Sequence, residues 1–292
     1  MAVSEQIGLQ NDAMLGEARH IIDVARRQGV TLRLLGGLAV REHCHESPFC
    51  ERSYRDIDLV TLAGSAKAAT AVIGGLGWSE NRQVAMATMA RRRQFFRTCR
   101  HPTAAGRAHV DDRIDLYLDA FRLHHSIDLR RRLEGEPYTV SVSDVLLVKL
   151  QRTEVNDDDL HDIVAVIGDA AGLGDDDAPD VLNVRYIARL CARDWGLYHD
   201  VERNIARVRR LVDTPAAADG GPVVDLRRAQ PGAPARPGRE HLTARLDALE
   251  GALSDEPKGL RWRLRASLGE RVAWHEPVDD AEGVYFAPGE HP

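Results

Sequence analysis

The spacing of apolar residues changes near residue 143, and this change limits the folds that the chain can adopt. Before it, short β-rich runs alternate with helical patterns. Residues 113–118 place Ile114, Leu116 and Leu118 opposite polar side chains, with the period of two that a half-buried strand shows. After residue 143 nearly every segment has helical spacing. We therefore expect an α+β fold, with a small mixed sheet and flanking helices followed by a helical C-terminal domain.

The same patterns predict four regions along the chain. Residues 1–140 form an α/β domain, and residues 143–213 form a helical domain that closes a cleft against it. Residues 214–239 are rich in Pro, Ala, Gly and Arg and are predicted to be a flexible linker. Residues 240–292 return to helical spacing and form a C-terminal helical segment.

Charge and hydropathy exclude several classes of protein. No run approaches the roughly 20 apolar residues that span a bilayer, so we expect no membrane-spanning segment. The N-terminal residues lack a basic region followed by an apolar core, which favours a cytoplasmic protein over a secreted one. The net charge of −6 argues against coating nucleic acid by bulk charge, although a local basic groove remains compatible with it.

A glycine pair, Gly36-Gly37, lies where a predicted strand leads into a predicted helix. Glycine lets the backbone approach a ligand, and the N-terminus of a helix offers free N–H groups and the positive end of its dipole. The pair is therefore a candidate phosphate-binding turn. Tight turns use glycine pairs for purely structural reasons too, so the pair alone does not decide between the two interpretations.

Two aspartates, Asp56 and Asp58, begin the next predicted strand. The period of two places both carboxylates on one face, while Ile57 and Leu59 face the core. Neighbouring carboxylates repel each other and raise each other's pKa, and a divalent cation removes that repulsion. Because hard oxygen ligands suit Mg²⁺ or Mn²⁺, the pair is a candidate metal site. The alternative is a solvent-exposed acidic strand edge.

A second acidic strand contains Asp115 among alternating apolar residues. If the two acidic strands are neighbours, Asp115 faces the same cleft, and three carboxylates opposite the glycine turn form a site for metal-dependent phosphoryl transfer. Asp115 is then a general base or a metal ligand. Asp119 competes for this role, and Asp111 and Asp112 are weaker alternatives.

Lysine is rare in this chain, which favours arginine as its cation, and Lys149 interrupts an apolar helical run. It is either a point charge for a nucleotide phosphate or a lysine whose stem lies along the edge of the core. Asp162 follows on the next predicted helix and can hold this lysine, although acids in a first helical turn are common without any function. Arg93, and Arg52 or Arg55, are further cationic candidates for the cleft.

These residues together resemble the nucleotidyltransferase superfamily with the DNA polymerase β-like fold. The helix DVLLVKLQ and the acidic helix after it resemble the branch that includes AbiEii-like toxins of toxin–antitoxin systems. The resemblance covers roughly residues 10–215, and it rests on the GG turn at 36–37, DIDLV at 56–60, IDL at 114–116, DVLLVKLQ at 144–151 and DDDLHDI at 157–163. The chain departs from the family in having Gly37 where a serine often follows the first glycine.

The resemblance implies transfer of a nucleoside monophosphate from an NTP to an acceptor, with Mg²⁺ or Mn²⁺ as cofactor. Asp56, Asp58 and Asp115 are the implied catalytic and metal-binding residues. The nucleotide-binding residues are expected to be Gly36, Gly37, Lys149, Asp162 and Arg93. The acceptor stays open among RNA, a protein side chain and a small molecule, and a toxin role implies an antitoxin partner. The alternatives are a phosphotransferase or kinase on the same fold, or a non-catalytic nucleotide-binding partner protein.

Overall fold

The structure is a computed structural model, and it describes residues 3–44, 52–99, 110–213 and 238–277. The first half of the chain is mixed α and β, as its sequence predicts. Its helices are α1 (Val3–Arg27), α2 (Gly36–His43), α3 (Ala66–Gly75) and α4 (Arg82–Ala87). Its strands are β1 (Arg33–Leu34), β2 (Asp56–Thr61), β3 (Ser79–Asn81), β4 (Arg92–Cys99), β5 (Val110–Leu118), β6 (Ala120–Arg122) and β7 (Ser126–Asp128).

Five of these strands form one mixed sheet in the order β1-β2-β5-β4-β3. The two acidic strands, β2 and β5, are parallel neighbours, while the other pairs in the sheet are antiparallel. In this register Asp58 is the partner of Asp115, and Asp56 is the partner of Arg113. The expectation that the two acidic strands are adjacent is therefore confirmed.

The second half is mainly helical, with α5 (Val142–Leu150), α6 (Asp157–Asp169), α7 (Val184–Cys191) and α8 (Trp195–Asp213). Two short parallel strands, β8 (Gly172–Gly174) and β9 (Val181–Asn183), lie between α6 and α7. Polar caps fix where α5 and α6 begin: the Ser141 side chain accepts from the Asp144 N–H, and the Asn156 side chain accepts from the Asp159 N–H. Both helices pack against α2 and against each other.

Two further helices follow, α9 (Arg239–Asp255) and α10 (Leu260–Leu268). Helix α9 packs on α6, α7 and α8, and its buried face consists of Leu242, Leu246, Leu249 and Leu253. The predicted linker, residues 214–239, falls almost wholly outside the described residues. Within the parts of the chain that the structure covers, no helix has both the length and the apolar character needed to cross a membrane.

Candidate functional site

One cleft brings together most of the site residues that the sequence predicts. It lies between the polar face of β2 and β5, the start of α2, and the α5–α6 region, and its lining includes Gly36, Gly37, Asp56, Asp58, Asp115 and Lys149. Parallel pairing is the reason that the acidic residues meet, because partners in register project from the same face of a sheet.

The glycine turn fits closely against the acidic strand. The Leu35 N–H donates to the Asp58 carbonyl at 2.9 Å. Gly36 has a φ of +62°, and a Cβ built on it would overlap the Asp58 carboxylate, so this position requires glycine for two reasons. At Gly37 an added Cβ would overlap the Arg52 guanidinium. The conformation leaves no room for the serine hydroxyl that often follows the first glycine in the resembling family.

Helix α2 begins at this turn, and its first residues, Gly36 and Gly37, line the cleft. The free N–H groups at the start of the helix therefore lie at the cleft. Its N-cap residue, Leu35, supplies no side-chain hydrogen bond, and the first turn contains no acidic residue. The uncapped amides and the positive end of the helix dipole are the elements with which a helix binds a phosphate. The polar groups of Gly36 and Gly37 are thus available for an anionic ligand.

Asp115 is almost completely buried, with 1% of its surface exposed. Its Oδ1 accepts from Arg92 Nε and from Gln94 Nε2, each at 3.0 Å. Its Oδ2 lies 3.1 Å from Arg113 Nε, and the same guanidinium also pairs with Asp56. Two hydrogen-bond donors and the Arg113 guanidinium therefore surround Asp115, and Arg113 bridges two of the three carboxylates. These contacts leave Asp115 less available as a ligand for a metal ion.

Asp58 differs from the other two carboxylates because no described residue donates a hydrogen bond to it. Burial, followed by repulsion from Asp56 and Asp115, raises its pKa from 3.8 to about 7, although Arg113 and Arg92 act in the opposite direction. The site therefore contains a carboxylate whose ionised form lacks a partner. Such a group is what a bound cation stabilises.

The residues fit a divalent cation in part. Among the described residues, no three acidic, histidine or cysteine side chains are arranged to hold a metal ion, so the expectation of a ready three-carboxylate group at Asp56, Asp58 and Asp115 is not met. Arg92 and Arg113 contact the oxygens of Asp115, and Arg113 also pairs with Asp56. Asp58, alone or with Asp56, agrees with the way Mg²⁺ is commonly held, by one or two carboxylates together with phosphates of the substrate.

Lys149 lies on the opposite wall of the cleft and is 7% exposed. Its Nζ is 2.8 Å from an Asp162 oxygen and 3.0 Å from an Asp159 oxygen. Burial alone would lower the pKa of Lys149, but the two carboxylates raise it above its ordinary value. The lysine is therefore held as a cation at the cleft wall, which agrees with the predicted contact between Lys149 and Asp162.

Asp162 itself is fully buried and does not line the cleft. It receives two hydrogen bonds from Arg52, from Nε at 3.0 Å and from Nη2 at 2.7 Å. The sequence predicted Asp162 as a nucleotide-binding residue, whereas the structure makes it a positioning residue for Arg52 and Lys149. Of the two alternatives Arg52 and Arg55, Arg52 lines the cleft and Arg55 does not.

Arg93 lies outside the cleft, and this corrects the sequence prediction. In the β4–β5 register Arg93 is the partner of Leu116, so it shares the apolar side of the sheet, where it contacts Glu80 and Thr70. The cationic residue of the cleft is its neighbour Arg92. The period of two explains the difference, since a shift of one residue moves a side chain to the other face.

The described alternatives to Asp115, which are Asp119 and Asp112, make contacts elsewhere. Asp119 has a φ of +63°, and its side chain accepts from the Ala63 N–H at 2.8 Å, so it stabilises a turn. Asp112 lies 3.5 Å from Arg97, and the Asp111 side chain lies outside the described residues.

Besides Arg92 and Arg113, sequence reasoning missed two further groups of cleft residues. Tyr117 and Phe121 form an aromatic wall, with ring centroids 4.7 Å apart. Arg152 and Asp159 line the cleft beside Lys149. The position of Tyr117 in the same polar register as Asp115 could have indicated the first group, whereas the second depends on how α5 and α6 pack.

No protein-family model matches this sequence, and no curated protein is significantly similar to it.

Proposed function

We propose that the protein transfers a nucleoside monophosphate from an NTP to an acceptor, with release of pyrophosphate, in a reaction that depends on a divalent cation. One observation carries this proposal: the parallel pairing of β2 and β5 aligns Asp58 with Asp115 in a cleft that also contains the uncapped start of α2 and the Lys149 ammonium group. Carboxylates for a cation on one side, and N–H groups and cations for phosphates on the other, are what NTP chemistry requires.

Each part of the cleft has a role in this proposal. The N–H groups at the start of α2 and the Lys149 Nζ bind phosphate oxygens. Asp56 and Asp58 hold Mg²⁺ or Mn²⁺, which supplies charge stabilisation to the phosphates when it is bound. Arg92 and Arg113 fix Asp115 and add positive charge next to the phosphates. Tyr117 and Phe121 offer an aromatic surface for the base or ribose.

The proposal specifies the chemical class of the acceptor, which is a hydroxyl or phosphate group of an RNA, a protein or a small molecule. A toxin function with an antitoxin partner is the biological form that the family resemblance favours. Incubation with each class of acceptor, followed by analysis of the labelled product, distinguishes these acceptors.

The direct test uses NTP labelled at the α- or the γ-phosphate, with Mg²⁺ or Mn²⁺. Label from the α position on the acceptor is the expected result. Label from the γ position alone would make the protein a kinase on the same scaffold. Asp58→Asn is the matched variant, and wild-type turnover in that variant would contradict the assignment of the site.

A non-catalytic nucleotide-binding protein is the second candidate. The contacts of Arg92 and Arg113 with Asp115 favour it, because they neutralise a carboxylate that catalysis would otherwise use. Calorimetry of NTP binding, together with the labelled-product assay, separates the two candidates. The second candidate alone predicts that NTP binds but that no labelled product forms with any of the three acceptor classes or either cation.

A further inference from the structure

Helix α10 presents a row of large apolar side chains to solvent. Leu260, Leu264 and Leu268 follow one another at intervals of four residues and are 73%, 60% and 47% exposed, and Val272 beyond the helix is 48% exposed. Residues at this spacing lie on one face of a helix. The structure therefore contains a continuous leucine row that nothing in the described part of the chain covers.

The opposite side of α10 is anchored, so the outward direction of the leucines is fixed by packing. Trp262 Nε1 donates to the Cys191 carbonyl at 3.0 Å, and its ring contacts Tyr198 edge-on with centroids 5.2 Å apart. The Arg265 guanidinium lies 4.5 Å from the Trp195 ring centroid. Rotation of α10 to bury the leucines would break these contacts.

Several arginines lie on α10 and in a groove next to it. A groove beside the start of α10 is lined by Arg189, Arg193 and Arg261, together with Trp262. Arg263 and Arg271 are also exposed on this segment. None of these five guanidinium groups forms an ion pair or a hydrogen bond with a residue that the structure describes, in contrast to the paired arginines of the cleft. The acids nearby include Glu256 in the groove, Asp194 and Asp255 next to groove residues in the sequence, and Glu270, which is bonded to His199.

We propose that this surface, the leucine row together with the three groove arginines, binds an acidic amphipathic segment of a partner protein. Charge complementarity identifies the occupant: its apolar side chains cover the leucines, and its carboxylates pair with Arg189, Arg193 and Arg261. The unpaired arginines favour an acidic partner, and they disfavour a symmetric contact with the same surface of a second copy because like charges would then face each other. This inference does not depend on the proposed nucleotidyl transfer.

The shape of the surface favours a protein segment over a membrane or a nucleic acid. The leucine row extends about 12 Å along α10, a length of two turns. A membrane-bound helix needs a broader apolar face than one row, and here the tryptophan of α10 is directed into the protein. A nucleic acid would pair with the arginines and leave the leucines in water.

The test measures binding of a fluorescent synthetic peptide to the full chain by anisotropy. The probe is about four helical turns long, with leucine on one face and glutamate on the others. A peptide of the same composition in scrambled order, and one with lysine in place of glutamate, are the peptide controls. We expect only the amphipathic acidic peptide to bind, with an affinity that falls as salt concentration rises.

Two sets of variants test the surface. Leu260→Ser with Leu264→Ser, and separately Arg189→Glu with Arg193→Glu, are each expected to weaken binding about tenfold or more. Leu9→Ser and Arg27→Glu on α1 are the matched controls, since both residues are exposed on a distant helix, and they should leave binding unchanged. Circular dichroism of every variant checks that it is folded.

Several results would overturn the proposal. These are equal binding of the amphipathic and scrambled peptides, no measurable binding at about 100 µM peptide, or binding that persists in both surface variants. Self-association in sedimentation that Leu264→Ser abolishes would make a second copy the occupant, and binding to vesicles with anionic lipid but not to the peptide would make it a membrane. Residues 278–292 contain Asp279, Asp280 and Glu282. If the full chain binds the peptide only after these three acids are replaced by lysine, then residues 278–292 of the chain itself are the occupant of the surface.

Discussion

At the scale of single residues, Asp58 is the acidic group of the cleft whose pKa is raised by its surroundings. Burial and two neighbouring carboxylates raise its pKa from 3.8 to about 7. A carboxyl group with a higher pKa in the folded state holds its proton more tightly there than in the unfolded chain. Its contribution to stability is therefore most favourable below about pH 4 and is lost as the pH rises through about 7.

We expect Asp58→Asn to raise the melting temperature in the absence of metal at pH 8, where the wild-type carboxylate is ionised. At pH 5 the difference should be clearly smaller, because the folded wild-type group is then protonated and only the unfolded chain is ionised at this position. Thermal denaturation at the two pH values measures this, with Asp175→Asn as a control at an exposed carboxylate. An equal difference at both pH values would contradict the raised pKa.

Arg113 is the second residue on which the site depends, because its guanidinium bridges Asp56 and Asp115 in the place where a cation would offset their charge. We expect Arg113→Gln to increase the affinity of the cleft for Mn²⁺, since the carboxylates then lack their competing cation. Calorimetric titration of the metal without nucleotide measures the change. Arg93→Gln is the control on the other face of β4, and equal Mn²⁺ affinity in Arg113→Gln and wild type would show that the arginine and the metal do not compete.

At the scale of elements, the facing ends of α5 and α6 form one wall of the cleft, and buried charges hold them together. Lys149 on α5 pairs with Asp159 and Asp162 on α6, and Asp162 also binds Arg52. Removing one partner from such a network leaves uncompensated charges in the interior. The contacts that orient the proposed phosphate-binding lysine are thus also contacts that join two helices.

Lys149→Ala is therefore expected to have two effects. NTP affinity should fall by about 1–3 kcal/mol through loss of a charge-assisted hydrogen bond. The free energy of unfolding should fall by about 1–3 kcal/mol, because Asp159 and Asp162 each lose one charged partner and keep another, Arg152 and Arg52 respectively. Calorimetry well below the melting temperature and denaturant unfolding measure the two effects separately. Unchanged NTP affinity together with lost stability would make Lys149 a purely structural residue, and Lys258→Ala, on the α9–α10 connection, is the control.

At the scale of the whole molecule, the sequence predicted the features that depend on local periodicity. The half-buried strand at 113–118 and the helices after residue 143 follow from one face or one stripe of apolar residues, and the structure contains both. Short elements were not predicted, because a few residues are too few to show a regular spacing of apolar side chains. Strands β3, β6, β7, β8 and β9 each contain three residues.

The sequence predicted the site residues whose placement depends on the spacing within one strand. It did not predict those whose placement depends on how two elements pair or pack. Asp56 and Asp58 share a face because of their spacing alone, whereas choosing Arg92 over Arg93 requires the register of β4 on β5. The arginines that surround Asp115 come from β4 and β5, and their geometry depends on the tertiary structure. Sequence spacing predicted a cluster of carboxylates but not the cations that neutralise it.

We expect α9 to belong to the same cooperative unit as α6, α7 and α8, the helices on which it packs. Leu246 is fully buried where α9 packs on α6, α7 and α8, and Arg245 donates to the Ile167 carbonyl near the end of α6 at 2.6 Å. We expect Leu246→Ala to lower the free energy of unfolding by about 2–5 kcal/mol, the cost of a cavity in a packed core. Leu264→Ala, at an exposed position of α10, should change it by less than about 0.5 kcal/mol.

Hydrogen exchange gives the sharper measurement of this cooperativity. If α9 unfolds together with α7 and α8, the most protected amides of all three helices open with the same free energy, and Leu246→Ala lowers that value equally in each. Packing of one buried leucine face against three helices leads us to expect this result, because α9 has little apolar surface to stabilise it alone. Faster exchange confined to α9, with α7 and α8 unaffected by the substitution, would show instead that α9 docks as a separate unit and that α7 and α8 are stable without it.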